Sequence, residues 1–492
     1  MGHTALILGD QLSHRNPALE GADRVLLVES RAALGRLRYH RQRRHLVLSA
    51  MRHFAAELRV RDDHEVVERR GVARMADVLG DYAEVRCAEP NSAPSRRALE
   101  RLGARFVRSS QFLVDPDDFA DWAAGRRRVV MEDFYRAQRK RLGVLIGEDG
   151  EPEGGRWNFD RDNRRPPRAG LTAPAPWLPA EDDVDAEVRL DLDAMGLPEW
   201  GRDAPRAWPA TGSEARTALQ DFVTHRLAGF GPWQDAMVAG EPWLFHSRLS
   251  SSLNLWLLGP GEVVAAVQDA YRAGDVPLQS AEGFVRQLIG WREYVWGMYW
   301  LRAGEWRGQN ALDAREPLPA AYWAQSPGLD WNCLRSTVDG VAERAYAHHI
   351  ERLMVLGNIA LLAGVRPWEM VEWFQAAFID GAEWVMAPNT AGMALHADGG
   401  AMMTKPYAGG GNYIDRMSDL CAGCRYSPRS RTGPDACPVT ALYWDFIARH
   451  EQRWAGNPRM ALPLRGLQRM DPAELAAVRE RAARARAQLA GA

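Results

Sequence analysis

The chain has 492 residues, 46% apolar and 26% charged, with a formal net charge of −2 and five cysteines. That length exceeds one ordinary domain, and the composition excludes wholesale disorder, collagen and coiled coil. Five cysteines make no secreted disulfide framework, no run of about 18 apolar residues spans a membrane, and near-neutral charge excludes a global basic field for nucleic acid, so any such site must be local.

Residues 1–10 carry no basic stretch or signal-type cleavage site, so a cytoplasmic location is expected. Over the first 110 residues, apolar runs at 4–8, 24–29, 65–68, 84–88 and 105–108 alternate with helical periods at 41–59, 74–83 and 95–102. This pattern predicts a parallel sheet with helices on its faces. In open α/β sheets the ligand crevice lies at the carboxyl ends of the strands, which places Asp10, Gln11 and Glu29 near it unless they are ordinary loop polars.

From 126 to 209 the pattern breaks down. A helix is predicted over 131–145, followed by a Gly-, Pro- and Asp-rich stretch at 147–210; a connector so long is either functional or disordered. The segment from Trp157 to Arg164 is too aromatic for a plain linker. Helical spacing resumes at 213–230, 281–300, 341–364, 368–378 and 438–450. A charged Ala/Arg helix at 471–489 lacks an apolar stripe and is expected to be solvated. These boundaries divide the chain into an α/β domain (1–125), a connector (126–210), a helical domain (211–440) and a C-terminal extension (441–492).

Cys421 and Cys424 form a C-x2-C pair, and twelve residues separate Cys424 from Cys437-Pro438. This is metal-ligand spacing that needs a fourth thiol. Cys87 lies in a predicted strand and reads as a core residue, so Cys333 is the expected fourth ligand. Four thiolates suit zinc or an iron–sulfur cluster. One pair with two distant singles, and Pro after the last, favours 4Fe–4S. The loop from His246 to Asn254 places serines and an arginine at a helix start, which suits an anion or a simple cap. Arg286, Trp291, Arg292 and Glu293 share one helical segment. Of 19 tryptophans, fourteen follow residue 215; most are expected to be core.

Together, the segments SRLSSSLN (247–254), QLIGWREY (287–294) and DGAEWVMAPN (380–389) resemble the photolyase/cryptochrome superfamily. LGDQL (8–12), LSAMRHFAAELR (48–59), GGRWNFDRDNR (154–164), AYAHHIERLMVLGN (345–358) and the CAGC…CP pattern resemble its iron–sulfur branch, the bacterial (6-4) photolyases and related cryptochromes. The resemblance covers nearly the whole chain. It implies a Rossmann-like α/β antenna domain followed by an all-α FAD-binding domain carrying a 4Fe–4S cluster on Cys333, Cys421, Cys424 and Cys437. It implies that His246, Ser247, Arg248, Leu249 and Ser250 cradle FAD phosphates, and that Gln287, Glu293, Asp380, Glu383 and Asn389 line the flavin. Asp10, Gln11 and Glu29 match the pocket for a 6,7-dimethyl-8-ribityllumazine antenna.

The implied activity is light-driven repair of (6-4) photoproducts by electron donation from excited reduced FAD to UV-damaged DNA, by a monomer. His349 is the expected proton donor and His348 its neighbour, because imidazole titrates near neutrality. Trp373 is the expected first electron relay, followed by Trp323 or Trp331; Phe374 beside it is hard to oxidise. DNA contacts are expected from Arg286, Arg292, Arg161, Arg164, Lys405 and Tyr407, with Met402 and Met403 able to wedge at the lesion. Asp160 and Asp162 could hold a divalent ion such as Mg2+. Two other readings fit the same motifs less completely: a blue-light photoreceptor signalling without repair, and a zinc- or cluster-stabilised nucleic-acid-binding protein without photochemistry.

Overall fold

The computed structural model describes residues 2–61, 63–326 and 328–491. Five parallel strands, β1 (His3–Ile7), β2 (Ala22–Ser30), β3 (Glu65–Val72), β4 (Val85–Ala88) and β5 (Arg105–Val107), form one sheet in the order β3-β2-β1-β4-β5. Strand side chains alternate between faces. Ala5, Ile7, Val25 and Leu27 therefore join the main core with the Arg41–Arg61 helix, while Leu6, Leu26, Val28 and Cys87 pack with Leu79 and Leu99 on the other face. Cys87 is fully buried there, the core residue its strand position predicts.

The connector is ordered and contains a helix that the sequence pattern did not reveal, Asp183–Met195, opened by a capping box between Asp182 and Asp185. It lies against the Arg41–Arg61 helix. Arg52 fastens the two by pairing with Glu29 at 2.8 Å and Asp191 at 2.6 Å.

Beyond residue 211 the fold is helical, and three segments there are wound as π-helix: Arg286–Arg292, Glu351–Gly357 and Ala387–Ala394. Such turns are rare and cluster at functional sites. The single helix expected over 341–364 is broken. Asn332–Arg344 ends on Ala345 in the left-handed region (φ 52), and the chain restarts at His349. The C-terminal helix, Pro472–Ala490, is not solvated as expected. It buries Val478, Arg481, Ala482, Ala485 and Leu489 against the Pro438–Arg449 helix. Its seam is mostly alanine, so helices approach closely without a conspicuous apolar stripe. Among the described residues, no helix is long and apolar enough to cross a membrane.

Candidate functional site

The loop before the short Ser250–Asn254 helix turns through Arg248, whose φ of 62 is uncommon for a residue with a side chain. The turn lays its guanidinium over Trp243 (4.2 Å) and Trp208 (4.7 Å), and it donates to the carbonyls of Ala207 and Trp177. Arg248 is buried, which brings its pKa down to about 10, and no carboxylate among the described residues pairs with it. Its Nε and the buried hydroxyls of Ser251 and Ser252 have no partner. Unsatisfied donors and an unpaired cation in one loop call for an anion.

Nearby, Asp380 accepts from Arg352 at 2.9 Å, and Asn254 Nδ2 donates to the Asp380 carbonyl at 2.9 Å. Burial would raise Asp380, but Arg352 and Ser250 outweigh it and hold its pKa below the usual value. Gly381 is obligatory: a Cβ there would lie 2.5 Å from the Gln375 carbonyl and 2.8 Å from that of Phe374.

His246, His348 and His349 form one group. The His246 and His348 rings stack at 4.4 Å and 13°, and His349 meets His246 edge-on at 5.6 Å. Burial lowers His246 to about 4 and also lowers His348, whose Nδ1 has no partner. Both nitrogens of His246 lie against carbonyls, those of Gln234 and Trp243. Ring nitrogens of all three come within 4.8 Å of one another, yet in-plane lone pairs of stacked rings do not converge on one ion. His349 is half exposed and its Nε2 lies 3.1 Å from Asp235.

Glu351 accepts the His348 backbone N–H at 3.1 Å, the reach-back half of a capping box at the restarting helix. Burial raises its carboxyl to about 7, against the pull of the His348 N–H, Arg344 and Arg352. A carboxyl raised on folding stabilises the fold most below its unfolded value near 4.5, and that contribution is lost as pH rises to about 7. Glu351→Gln keeps the cap acceptor. It should add up to about 3 kcal/mol to unfolding stability above pH 7 and almost nothing below pH 4.5, read from denaturant unfolding at both pH values.

Around His349 lies a cationic, aromatic face. Arg164 (φ 62) bridges Asp160 at 3.1 Å and Asp235 at 3.5 Å, and Arg286 pairs with Asp160. Tyr407 feels Arg164, Arg459 and Arg286, while Lys405 is lowered by burial and by Arg459. Arg161 is exposed close by in sequence. Arg459 and Arg416, stacked on Tyr413, join this face without having been singled out in the sequence, because they come from distant segments. Met402 is buried and Met403 half buried. Arg286 lies buried beneath the face, paired with Asp160 and Glu132, and is not exposed as a DNA contact would be; Arg292 does not belong to the face either. It is buried, paired with Glu293 and stacked on Phe112 at 4.2 Å. Asp162 pairs with Arg156 at 2.8 Å, so arginines occupy both carboxylates expected to hold a divalent ion.

Glu293 places one oxygen on Arg292 and the other on the N–H groups of Leu113 (2.7 Å) and Val114 (3.0 Å), clamping the segment after β5 to the helical region. Gln287 donates to Gly283, Glu383 accepts from Tyr299, and Asn389 lies half buried in the third π-helical segment. At the strand ends, Gln11 donates to Ala88 and Glu89 (both 3.0 Å), and Glu29 is locked by Arg52. Asp10 is raised by burial, offset in part by Asn91 donating at 3.0 Å.

Cys333 starts the Asn332–Arg344 helix, Cys421 and Cys424 follow the Gly411–Met417 helix, and Cys437 caps Pro438–Arg449. Burial first, then Cys437, Cys421 and Cys424, pushes the Cys333 thiol up, so the four are neighbours. A tetrahedral zinc site with bonds of about 2.3 Å would hold its sulfurs about 3.8 Å apart. Among the described residues, the ligand trios within 4.8 Å contain histidine and carboxylate but no cysteine. Gly411 is required beside them: a Cβ would lie 2.9 Å from Cys437 Sγ. Tyr426 and Arg425 bind Asp330, Trp331 Nε1 donates to Gln488, and Arg481 donates to Ala436. The last helix thus straps the cysteine segments.

Trp373 is buried, 5.3 Å from Tyr322, 5.4 Å from Phe374 and 5.7 Å from Phe378.

Residues 5–208 match the family model described as deoxyribodipyrimidine photo-lyase-related protein. The chain is 40% identical over 486 residues to a (6-4) photolyase of Agrobacterium fabrum, covering 94% of this chain and 95% of that protein. An uncharacterised protein of Acanthamoeba polyphaga mimivirus is 28% identical over 109 residues, 22% of this chain and 81% of its own. The crystal structure of a bacterial class III photolyase from Agrobacterium tumefaciens superposes with a TM-score of 0.58 at 17% identity, covering 99% of this chain and 97% of that one. At that identity the superposition speaks for the fold alone.

Proposed function

The chain belongs to the photolyase family, and from that premise we propose that it repairs (6-4) photoproducts in UV-damaged DNA, using light and bound FAD. The observation that carries the reading is His349, half exposed on Asp235 at the centre of the cationic face and backed by two buried histidines.

The donor set fits FAD. Arg248 without a carboxylate, and Ser251 and Ser252 without partners, suit a diphosphate. Asp380, held ionised by Arg352, suits a hydrogen-bond donor of the flavin ring system. Bound there, FAD supplies light-driven electron donation. The protein's own part is to bind, exclude water and place a proton. Arg164, Lys405 and Arg459 hold phosphates flanking the lesion, and Tyr407 offers a stacking ring to an extruded base. His349 delivers the proton that the transferred hydroxyl needs, with Asp235 fixing its ring through Nε2. Arg248→Gln should lower retained FAD at least tenfold, read from the flavin-to-protein absorbance ratio after gel filtration.

The four cysteines are proposed as ligands of a 4Fe–4S cluster with a structural role, supported by their mutual proximity and by the C-x2-C pair followed by Cys437-Pro438. The strand ends around Asp10 are proposed to hold a lumazine antenna, with Gln11 and Glu29 fixed there by protein contacts. The reading is tested by assaying light-dependent turnover of a (6-4) oligonucleotide. Turnover in the light and none in the dark supports it; no turnover in either removes it.

A further inference from the structure

Between residues 449 and 469 the chain carries five arginines and one glutamate, although its net charge is −2. Arg449 is taken up by Asp445 at 2.9 Å. Arg453, Arg459, Arg465 and Arg469 are exposed, and none pairs with a carboxylate among the described residues. The carboxylates nearest in sequence are Glu451, which is exposed, and Asp471, which accepts the Glu474 N–H at 2.8 Å.

Local geometry sets these arginines in a line. The Pro458–Met460 turn runs straight into the Ala461–Gln468 helix. Met460, Leu464 and Leu467 join the core. Gly466 lets the helix close on Trp444, where a Cβ would lie 2.6 Å from the ring. Arg459, Leu462, Arg465 and Arg469 recur at the three- and four-residue steps of the opposite face. Leu462 is 74% exposed among them. At 1.5 Å rise per residue this ridge is about 15 Å long.

One end of the ridge is stapled to the cationic face around His349. Asn457 Nδ2 donates to the Thr404 carbonyl at 2.9 Å, and Arg459 Nη1 donates to the Thr404 hydroxyl. Thr404 immediately precedes Lys405, which is lowered by burial and then by Arg459, and Tyr407 feels Arg459 too. Trp454 packs 5.4 Å from His396, at the base of the same Gly-rich loop.

We propose that Leu462, Arg465 and Arg469 extend the DNA interface beyond the lesion mouth, as a ridge that grips the backbone of the duplex flanking the lesion on one side. The inference rests on the repair reading above. Each strand of a duplex carries one charge per 3.4 Å of axis, so about 15 Å of ridge follows about four base pairs. Guanidinium groups bind phosphate oxygens in pairs, and Leu462 meets the deoxyribose carbons between them. Because the ridge leaves the mouth in one direction, only one flank of the lesion reaches it.

The test uses flavin-loaded holoenzyme in the dark and three (6-4) duplexes: a short one with about four base pairs on each side of the lesion, and two in which either the 5′ or the 3′ flank alone is lengthened by about twelve. Binding is read by fluorescence anisotropy across a salt series. Wild type should bind one of the two lengthened duplexes at least tenfold more tightly than the short one, and the other no more tightly. The double variant Arg465→Gln/Arg469→Gln should bind all three alike. On the preferred duplex, its slope of log K against log salt should be shallower by about 2, roughly one for each phosphate contact removed. Leu462→Glu, at an exposed position, should cause a similar loss through repulsion of phosphate. FAD content and repair turnover at saturating duplex should stay at wild-type levels. Wild-type affinity and salt slope in the double variant overturn the ridge, as does a wild type indifferent to flank length. Equal loss on short and lengthened duplexes also overturns it, because that marks a fold-wide effect. A wild type that gains from one flank, and loses that gain in the double variant, yet repairs no lesion in the light, sustains the ridge and removes the repair reading alone.

Discussion

Replacing His349 by alanine is expected to lower light-driven repair of a (6-4) photoproduct by a factor of about 10²–10⁴, the usual range for a positioned general acid. Affinity for the damaged duplex should change by only a few-fold, because the proposed phosphate contacts come from Arg164, Lys405 and Arg459. His349 and His348 are adjacent in sequence but differ in access. His349 opens the restarted helix and is half exposed, whereas His348 is 2% exposed and stacked on His246. His348→Ala should therefore cost less in proton delivery and more in flavin packing. Asp235 is held below the usual carboxylate range: burial would raise it, but His349 and Arg164 outweigh that. Asp235→Asn keeps a hydrogen-bond acceptor but removes the charge, and should reduce repair with little change in flavin content. Repair yield per absorbed photon, measured on chemically reduced enzyme, separates these effects from photoreduction. A normal yield in His349→Ala would remove the assignment.

Loss of one cysteine is expected to have the largest effect on stability. Cys421→Ala should abolish the broad visible absorption of the cluster and reduce bound iron from about four atoms per chain to near zero. Unfolding stability should fall by about 5 kcal/mol or more, because ligand binding energy is folding energy when the ligands lie far apart in sequence. The four cysteines join the Asn332–Arg344 helix, the 421–424 loop and the Pro438–Arg449 helix. The Pro472–Ala490 helix is strapped over them by Arg481 and Trp331. Limited proteolysis should therefore cut first between residues 425 and 471 in the variant. Cys87→Ala should leave iron content unchanged, since that thiol is buried on the far face of the sheet. Iron retained at wild-type levels in Cys421→Ala would contradict the ligand set.

The five strands were legible because each is a short apolar run bounded by turns, and parallel strands with both faces covered need no alternation. The Asp183–Met195 helix was hidden among prolines and glycines, since its signal is a capping box and not an apolar stripe. The break at Ala345 was hidden because nothing in an alanine predicts left-handed backbone; it shows only where packing places His348 and Glu351. The C-terminal helix misled for the opposite reason: a small-residue seam is invisible to a search for large apolar side chains. At the site, the His246 loop, the histidine pair and the cysteines stand out in the sequence as local motifs, and the roles given to them are proposals. The contacts of Glu293, itself paired with Arg292, to Leu113 and Val114 join segments 180 residues apart, which no local spacing records. Arg416 and Arg459 could not be found because they reach the face from distant segments.

The most direct test of the account is a light-dependent repair assay with paired oligonucleotides, one carrying a (6-4) photoproduct and one a cyclobutane pyrimidine dimer. The account predicts that reduced wild-type protein restores the (6-4) site under blue or near-UV light, not in the dark, and leaves the cyclobutane dimer untouched. Repair of neither lesion by flavin-loaded, reduced protein would contradict it.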